Sequence, residues 1–361
     1  MTERIFNFSA GPAVLPLTVL EEAQRDLVAL PDVGMSVLEI SHRSKTFDAI
    51  IQGAEANIRQ LANIPENYQV LFLQGGASLQ FSMLAMNFMP LANKADYIVT
   101  GVWSKKAIKE ARRVGQVNIA ASTESENFTR IPTDEEIKLD PEAAYVHYTT
   151  NNTIYGTEWH RAPASGAAPL VADASSDIFS KPIDVAKHAM IYAGAQKNLA
   201  PAGLTLAIVR DDLLARCSDS LPTMLNYKTH ADNKSLYNTP PVFPIYILHL
   251  VTKWLIAEGG LEAMAKHNAE KAQVLYDAID ATEFYRPHAT ADSRSLMNVT
   301  FRLPSEDLEK QFVSEATRAG LDGLKGHRSV GGIRASIYNA FPKAGVEALV
   351  SFMKEFERAN G

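Results

Sequence analysis

The sequence predicts an α/β fold: a large domain with a central, mostly parallel seven-stranded sheet, plus a smaller α+β domain. Three observations carry this. Short apolar runs recur at 69–73, 96–100, 117–121, 144–149, 169–172, 188–193 and 204–209. Runs of that length, bounded by turn residues, read as strands buried on both faces. Helical patterns separate several of the early runs, the alternation that builds a parallel sheet with flanking helices. After Arg210 the pattern changes to long helices and one alternating strand, which reads as a mixed second unit.

The helices follow from spacing and punctuation. Ser44 to Ile64 places apolar residues at 47, 50, 51, 54, 58 and 61, one helical face. Leu79 to Leu84 looks helical behind Gly75-Gly76, and Ser104 to Val114 reads as a basic amphipathic helix. A helix from about Ile245 to Glu258 meets a stop signal at Gly259-Gly260, and a second covers Leu261 to Asp280. Leu296 to Arg302 alternates as a strand. Ser305 caps a helix ending near Gly320, and Pro342 opens a C-terminal helix. No internal repeat or low-complexity tract interrupts the chain.

Composition narrows the function classes. At 361 residues the chain can bury a large core and divide into two domains. Its apolar share of 46% and charged share of 21% are ordinary for a globular protein. A net charge of −6 argues against a nucleic-acid partner. The single cysteine, Cys217, excludes an internal disulfide and a thiolate-rich metal site, and no clustered His/Cys spacing predicts a metal. The apolar stretch Val242 to Ala257 is broken by Pro244, His249 and Lys253, so no membrane span is expected. Nor does the N-terminus carry a secretory apolar core. A cytoplasmic enzyme is the expectation.

Five features point to one site. Lys197 sits among small residues in Gly194-Ala195-Gln196-Lys197-Asn198, just after the apolar run His188 to Ala193. An apolar setting penalises its ammonium, and a neutral amine in a cleft is a nucleophile toward aldehydes. A lone lysine in a loop is more often solvated; its company decides. Asp173 ends the strand-like Pro169 to Ala172, where ligands bind in open α/β sheets. It could cap a helix, or pair with a protonated pyridine nitrogen. Gln74-Gly75-Gly76-Ala77-Ser78 joins a strand to a helix N-terminus, an anion cup. Trp103, at a strand exit, could stack on a flat ring or fill the core. Thr153 is a polar group at another strand end. A lysine, a carboxylate, an aromatic, a phosphate cup and a hydroxyl are the needs of a pyridoxal 5′-phosphate site.

With these residues and others, the chain resembles the phosphoserine aminotransferase family, class V aminotransferases of fold type I among pyridoxal phosphate enzymes. The likeness spans nearly the whole sequence. It includes Phe6-Asn7-Phe8-Ser9-Ala10-Gly11-Pro12, Ile40-Ser41-His42-Arg43-Ser44, Gly101-Val102-Trp103-Ser104 and Asn151-Asn152-Thr153-Ile154-Tyr155-Gly156. It continues through Ala172-Asp173-Ala174-Ser175-Ser176, Gly194-Ala195-Gln196-Lys197-Asn198, Tyr237-Asn238-Thr239-Pro240-Pro241, Gly326-His327-Arg328 and Gly332-Ile333-Arg334.

The resemblance implies a large cofactor domain over 16–260, and a small domain made of 1–15 and 261–361. It implies that Lys197 holds the cofactor covalently and moves the substrate proton. Gly76, Ala77, Trp103, Thr153, Asp173 and Gln196 match cofactor-contacting positions. Asn238 and Thr239 match positions reaching the partner subunit's cofactor phosphate, which implies a homodimer. The implied reaction moves an amino group between L-glutamate and 3-phosphohydroxypyruvate in serine biosynthesis, and its four-carbon analogue in pyridoxine biosynthesis is a further implied substrate. Arg334 would take the α-carboxylate as a bidentate partner. His42, Arg43, His327 and Arg328 would take the distal anion, with Ser9 helping to position glutamate. Some members carry arginine where this chain has Ala77, which puts more weight on those four residues.

Rivals are weaker. A cysteine desulfurase needs a mobile reactive cysteine, whereas Cys217 reads as a buried helical position. An alanine–glyoxylate aminotransferase would share the cofactor. A P-loop would need Lys and then Ser/Thr where Gly332-Ile333 stand. A transcription regulator on this fold would need an added helix-turn-helix segment.

Overall fold

The computed structural model describes residues 4–361, so residues 1–3 of the expected 1–15 segment lie outside the described residues. Strand β1 (Phe6–Asn7) is followed by helices α1 (Leu17–Val28) and α2 (Lys45–Ala62). The Ser44 side chain caps α2 by accepting from the Phe47 N–H (3.2 Å). Then come β2 (Tyr68–Leu73), α3 (Gly76–Phe88), β3 (Lys94–Val99), α4 (Val102–Ala111), β4 (Gln116–Ser122) and β5 (Val146–Thr149). A small ribbon, β6 (Asn151–Asn152) with β7 (Thr157–Glu158), precedes β8 (Leu170–Asp173), β9 (Met190–Gly194) and β10 (Thr205–Arg210).

All seven expected strands are present and form one sheet in the order β2-β10-β9-β8-β5-β3-β4. Strand β10 runs antiparallel to both neighbours, and the other pairings are parallel. The exception has a simple cause. Residues 195–204 join β9 to β10, and a parallel crossover needs a longer connection. Alternate residues of the strands feed opposite faces: Val70 and Phe72 pack with α2, whereas Leu71 and Leu73 pack with α3. Both faces are covered, which is why these strands read as continuous apolar runs.

Short helices α5 (Asp211–Leu214) and α6 (Tyr227–Asp232) lead to α7 (Val242–Ala257) and α8 (Gly260–Asp280). Helix α7 begins earlier than its periodicity suggested, because Pro244 fits the first turn, where no intrahelical donor is required. The remaining elements are β11 (Arg286–Pro287), β12 (Asn298–Arg302), α9 (Glu306–Arg318), β13 (Leu321–Asp322), β14 (Ile333–Ser336) and α10 (Lys343–Asn360). Strands β11, β12 and β14 form an antiparallel sheet, and β1 pairs with β13 in parallel. Phe8 therefore joins a separate core with Phe301, Phe312, Val346 and Phe356.

One expectation needs correction. Cys217 does not sit in a helix: α5 stops at Leu214, and the cysteine follows in irregular chain, half-buried. Among the described residues no single helix is long and apolar enough to cross a membrane.

Candidate active site

Lys197 lies in the loop between β9 and β10, at the edge of the central sheet's carboxyl ends. The N-terminal segment folds over it. A Cβ on Gly11 would stand 3.1 Å from Lys197 Cγ, and Ala13 N–H donates to the Gln196 carbonyl (3.0 Å). The lysine stays partly accessible because it lines a cavity of about 280 Å³. Burial nonetheless pushes its pKa from 10.5 down to about 8; Asp173 and Asp177 pull it up, and Arg334 adds to the depression. The amine is thus neutral far more often than a solvated lysine at the same pH.

Asp173 ends β8 and lines the same cavity. Its Oδ1 accepts from the Ser175 N–H (3.1 Å) and the Ser175 hydroxyl (2.6 Å). Ser175 Oγ in turn accepts from Gly194 N–H (3.0 Å), tying the end of β8 to the end of β9. Burial pushes the Asp173 pKa up, while Ser175 and the Lys197 charge pull against it. Oδ2 has no hydrogen-bond partner among the described residues, which leaves one oxygen for a ligand.

Opposite stands the N-terminus of α3. Gly75 (φ 85) and Gly76 (φ 63) both take left-handed backbone, the geometry that glycine permits. A Cβ on Gly76 would meet nothing within 4 Å, and Gly194 leaves its own Cβ position 3.4 Å from Ala77 N. Gly76, Ala77 and Ser78, the first residues of α3, line the cavity together with the lysine, and the N–H groups of a helix's first turn have no intrahelical partners, an arrangement suited to a phosphate. Thr149 Oγ1, at the end of β5, is buried without a partner and also lines the cavity. An anion cup, a free carboxylate oxygen, an orphan hydroxyl and an amine of lowered pKa fit pyridoxal phosphate.

Trp103 lies in the first turn of α4, which starts before the expected Ser104. Lys197 Nζ is 5.2 Å from the centroid of its ring. The indole N–H donates to Thr153 Oγ1 (3.1 Å), and the Thr153 carbonyl accepts from Arg334 Nη1 (3.0 Å). Arg334, on β14, does not line the cavity, but its charge is felt by Lys197; its Nε is buried and unpaired, and burial pushes its pKa down. A guanidinium with unspent donors beside the cleft suits a carboxylate.

The other sequence-derived candidates lie apart. His42 and Arg43 occupy the turn before α2; Arg43 is exposed, and neither lines the cavity. His327 and Arg328 line a different, larger cavity of about 910 Å³ beside α9. Asn238 and Thr239 are exposed ahead of α7, and Ser9 rests against Gly323, outside the cleft lining. Within one chain, then, the four proposed distal-anion residues do not meet at the cleft. Sequence reasoning missed Thr149, Ser175 and Lys106. Ser175 was readable as the partner of an Asp-x-Ser turn. Lys106, one helical turn beyond Trp103, sits 4.5 Å from its ring centroid.

Comparison with known proteins agrees with this geometry. Residues 5–349 match the family described as Aminotransferase class-V. The chain is 58% identical to the phosphoserine aminotransferase of Desulfosudis oleivorans, covering 100% of both, and 56% identical to that of Lysinibacillus sphaericus, covering 99% of both. Among solved structures it is similar to phosphoserine aminotransferase from Bacillus circulans subsp. alkalophilus, with TM-score 0.98, 51% identity and 100% of both chains covered. It is also similar to the PLP-bound phosphoserine aminotransferase of Trichomonas vaginalis, with TM-score 0.94 and 41% identity, covering 97% of this chain and 100% of that one.

Proposed function

The chain belongs to the aminotransferase class-V family, and we propose that it is a pyridoxal-phosphate-dependent phosphoserine aminotransferase. It transfers the amino group of L-glutamate to 3-phosphohydroxypyruvate, giving 2-oxoglutarate and O-phospho-L-serine. The observation that carries this is Lys197, a buried amine with a pKa near 8, facing Asp173 in a cavity closed by a helix N-terminus. Full-length identity to proteins of that activity supports the substrate pair.

Pyridoxal phosphate, when bound, supplies the aldehyde that carries the amino group and a ring that takes up the electron pair. The chain's own groups do the rest. The N–H groups of Gly76 and Ala77 hold the phosphate at the positive end of α3. Asp173, whose Oδ2 has no partner among the described residues, would hold the proton of the ring nitrogen, while Ser175 fixes the carboxylate's orientation through Oδ1. Trp103 and Gln196 line the same cavity and would flank the ring. Lys197 would hold the cofactor, and its amine would be the base that takes and returns the substrate's α-proton. A base whose pKa lies near the working pH suits proton transfer in both directions. Arg334, steadied by Thr153, grips the α-carboxylate common to every substrate.

The reading includes a second copy of the chain. Asn238 and Thr239 are exposed, and neighbouring Tyr237 is 50% exposed, as a segment would be that reaches a partner's phosphate cup. Leu38, beside His42 and Arg43, is 60% exposed, an apolar surface that a homodimer would cover. His42 and Arg43 then meet His327 and Arg328 across subunits. The half-buried free thiol of Cys217 fits the reducing cytoplasm.

Two half-reactions test the proposal. Glutamate added to the purified holoenzyme should bleach the visible cofactor absorbance, and 3-phosphohydroxypyruvate should restore it with release of phosphoserine. Restoration by glyoxylate but not by the phosphorylated keto acid would assign the chain to a different aminotransferase.

A further inference from the structure

The loop Gly326–Gly332 carries His327 and Arg328, yet its own residues do little to hold it. Gly326 N–H donates to the Gly332 carbonyl (2.8 Å), and Val330 and Gly331 N–H both donate to the His327 carbonyl (2.9 and 2.8 Å). These bonds close the loop on itself but do not tie it to the body. The polar ties come from two residues outside it. Arg302, at the end of β12, donates through Nη1 to the Val330 carbonyl (2.8 Å). Glu309, on α9, accepts through Oε2 from Gly332 N–H (3.0 Å). Arg302 Nε also donates to Glu309 Oε1, so the two anchors are joined.

The fit is close. A Cβ on Gly332 would stand 2.7 Å from Arg302 Cδ, and one on Gly326 only 2.0 Å from the Gly331 carbonyl oxygen. Glycine at 332 lets the loop lie on the arginine stem, and glycine at 326 lets the two ends of the loop close on each other. Glu309 is 7% exposed, so its carboxylate is a buried charge whose partners are Arg302, the Leu303 N–H and the Gly332 N–H of the loop. Beyond the anchors, Val330 packs against the same apolar core as Val102 and Trp103. The loop thus runs from the β12–α9 side toward the core that also carries Trp103. Burial pushes the pKa of His327 down there, and the charges of Arg334, Arg328 and Lys106 add to it.

We propose that Arg302 and Glu309 are positioning residues that clamp the loop 326–332, and so fix His327 and Arg328 for the distal anion of the substrate. This rests on the reading above that those two residues bind that anion. The pair touches no reacting atom. Its effect is to pay in advance the ordering cost that a free glycine-rich loop would otherwise charge to substrate binding.

The test compares Arg302→Met, which keeps the aliphatic stem under Gly332, and Glu309→Gln with Arg328→Ala in the holoenzyme. Arg302→Met and Glu309→Gln should each raise KM for glutamate and 3-phosphohydroxypyruvate about tenfold, the worth of one charge-assisted hydrogen bond. Turnover number should change much less, and KM for alanine should stay. Amide hydrogen exchange at residues 327–332 should quicken by a similar factor, with the rest of the chain unaffected. Native KM in both clamp variants alongside a raised KM in Arg328→Ala would overturn the proposal while leaving the anion subsite intact. Faster exchange with native KM in Arg328→Ala would mean that the pair clamps the loop but that no anion subsite lies there. That outcome overturns the subsite and the proposed role together.

Discussion

Asp173→Asn should move two observables in opposite directions. In the apoenzyme Lys197 titrates at about 8 rather than 10.5. At pH 7 that leaves roughly 10% of the amine neutral, against roughly 0.03% for an ordinary lysine. Burial sets the depression, and the Asp173 charge is the first of the influences that resist it. Replacing the carboxylate with a neutral amide removes that resistance, and an opposite charge nearby is worth roughly one pKa or more. Lys197 should then titrate near or below 7, and its neutral fraction at pH 7 should rise several-fold. Competitive acylation of the apoenzyme across pH, read by peptide mass spectrometry, measures this directly.

The half-reaction with glutamate should nevertheless slow. The Asn side chain cannot hold a proton on the ring nitrogen as an anion does. The loss of one charge-assisted hydrogen bond is about 1.5–3 kcal/mol, roughly ten- to a hundredfold in rate. A more reactive lysine in a less active enzyme is an outcome that general misfolding would not produce. Wild-type Lys197 titrating near 10.5 would refute the burial argument. An Asn variant with unchanged acylation and an unchanged half-reaction would reduce Asp173 to a turn-forming partner of Ser175.

Two further outcomes are expected. Lys271 is fully buried, donates to the Tyr338 and Phe341 carbonyls (2.7 and 3.2 Å), and has its pKa pushed by burial to about 7. A lysine whose native pKa is lowered costs stability below that pKa, and the cost is relieved as pH rises to its unfolded value. Thermal unfolding of the wild type should therefore gain stability between about pH 7 and 10.5, by at most about 5 kcal/mol, and Lys271→Met should flatten that rise; an equally steep profile in the variant would sink the assignment. Arg43→Ala should lower kcat/KM for glutamate and 3-phosphohydroxypyruvate ten- to a hundredfold and leave alanine nearly untouched, whereas equal losses for alanine would leave Arg43 a scaffold residue.

Much of the fold was legible because two-sided burial writes itself plainly. Tyr192 and Ala193 are both fully buried on opposite faces of β9, so the strand reads as an unbroken apolar run. Capped helices were equally plain: Ser44 and Ser305 each stand where their side chains accept from the first turn. Two-residue strands such as β1 and β13 left no trace, since their pairing is set by tertiary contact rather than by pattern. Cys217 was misplaced for a related reason. Leu213 and Leu214 give a short helical signal, but α5 ends before a second turn could carry it to the cysteine.

The site divides along the same line. Lys197, Asp173, Gly76 and Thr149 stand at the ends of β9, β8, β2 and β5 or just beyond, and the strand order brings those ends together. General rules about strand ends and helix N-termini are enough to find most of them. The groups proposed to choose the substrate are different. Arg43 precedes α2, Arg328 rides a glycine loop, and the Arg302–Glu309 pair behind that loop comes from a strand and a helix without a motif. Periodicity places the strand and helix that carry the pair but not their contact with the loop, nor Arg43 or Arg328, and within one chain these residues do not share the cofactor's cavity. On the proposed reading, the chemistry is thus built into the sheet, while specificity is assembled from two turns, one of them held by the long-range contacts of Arg302 and Glu309. Substitutions at Lys197 or Asp173 should therefore abolish or slow every transamination alike. Changes at the turns and their anchors should redirect which anion is accepted while the proton transfer itself continues.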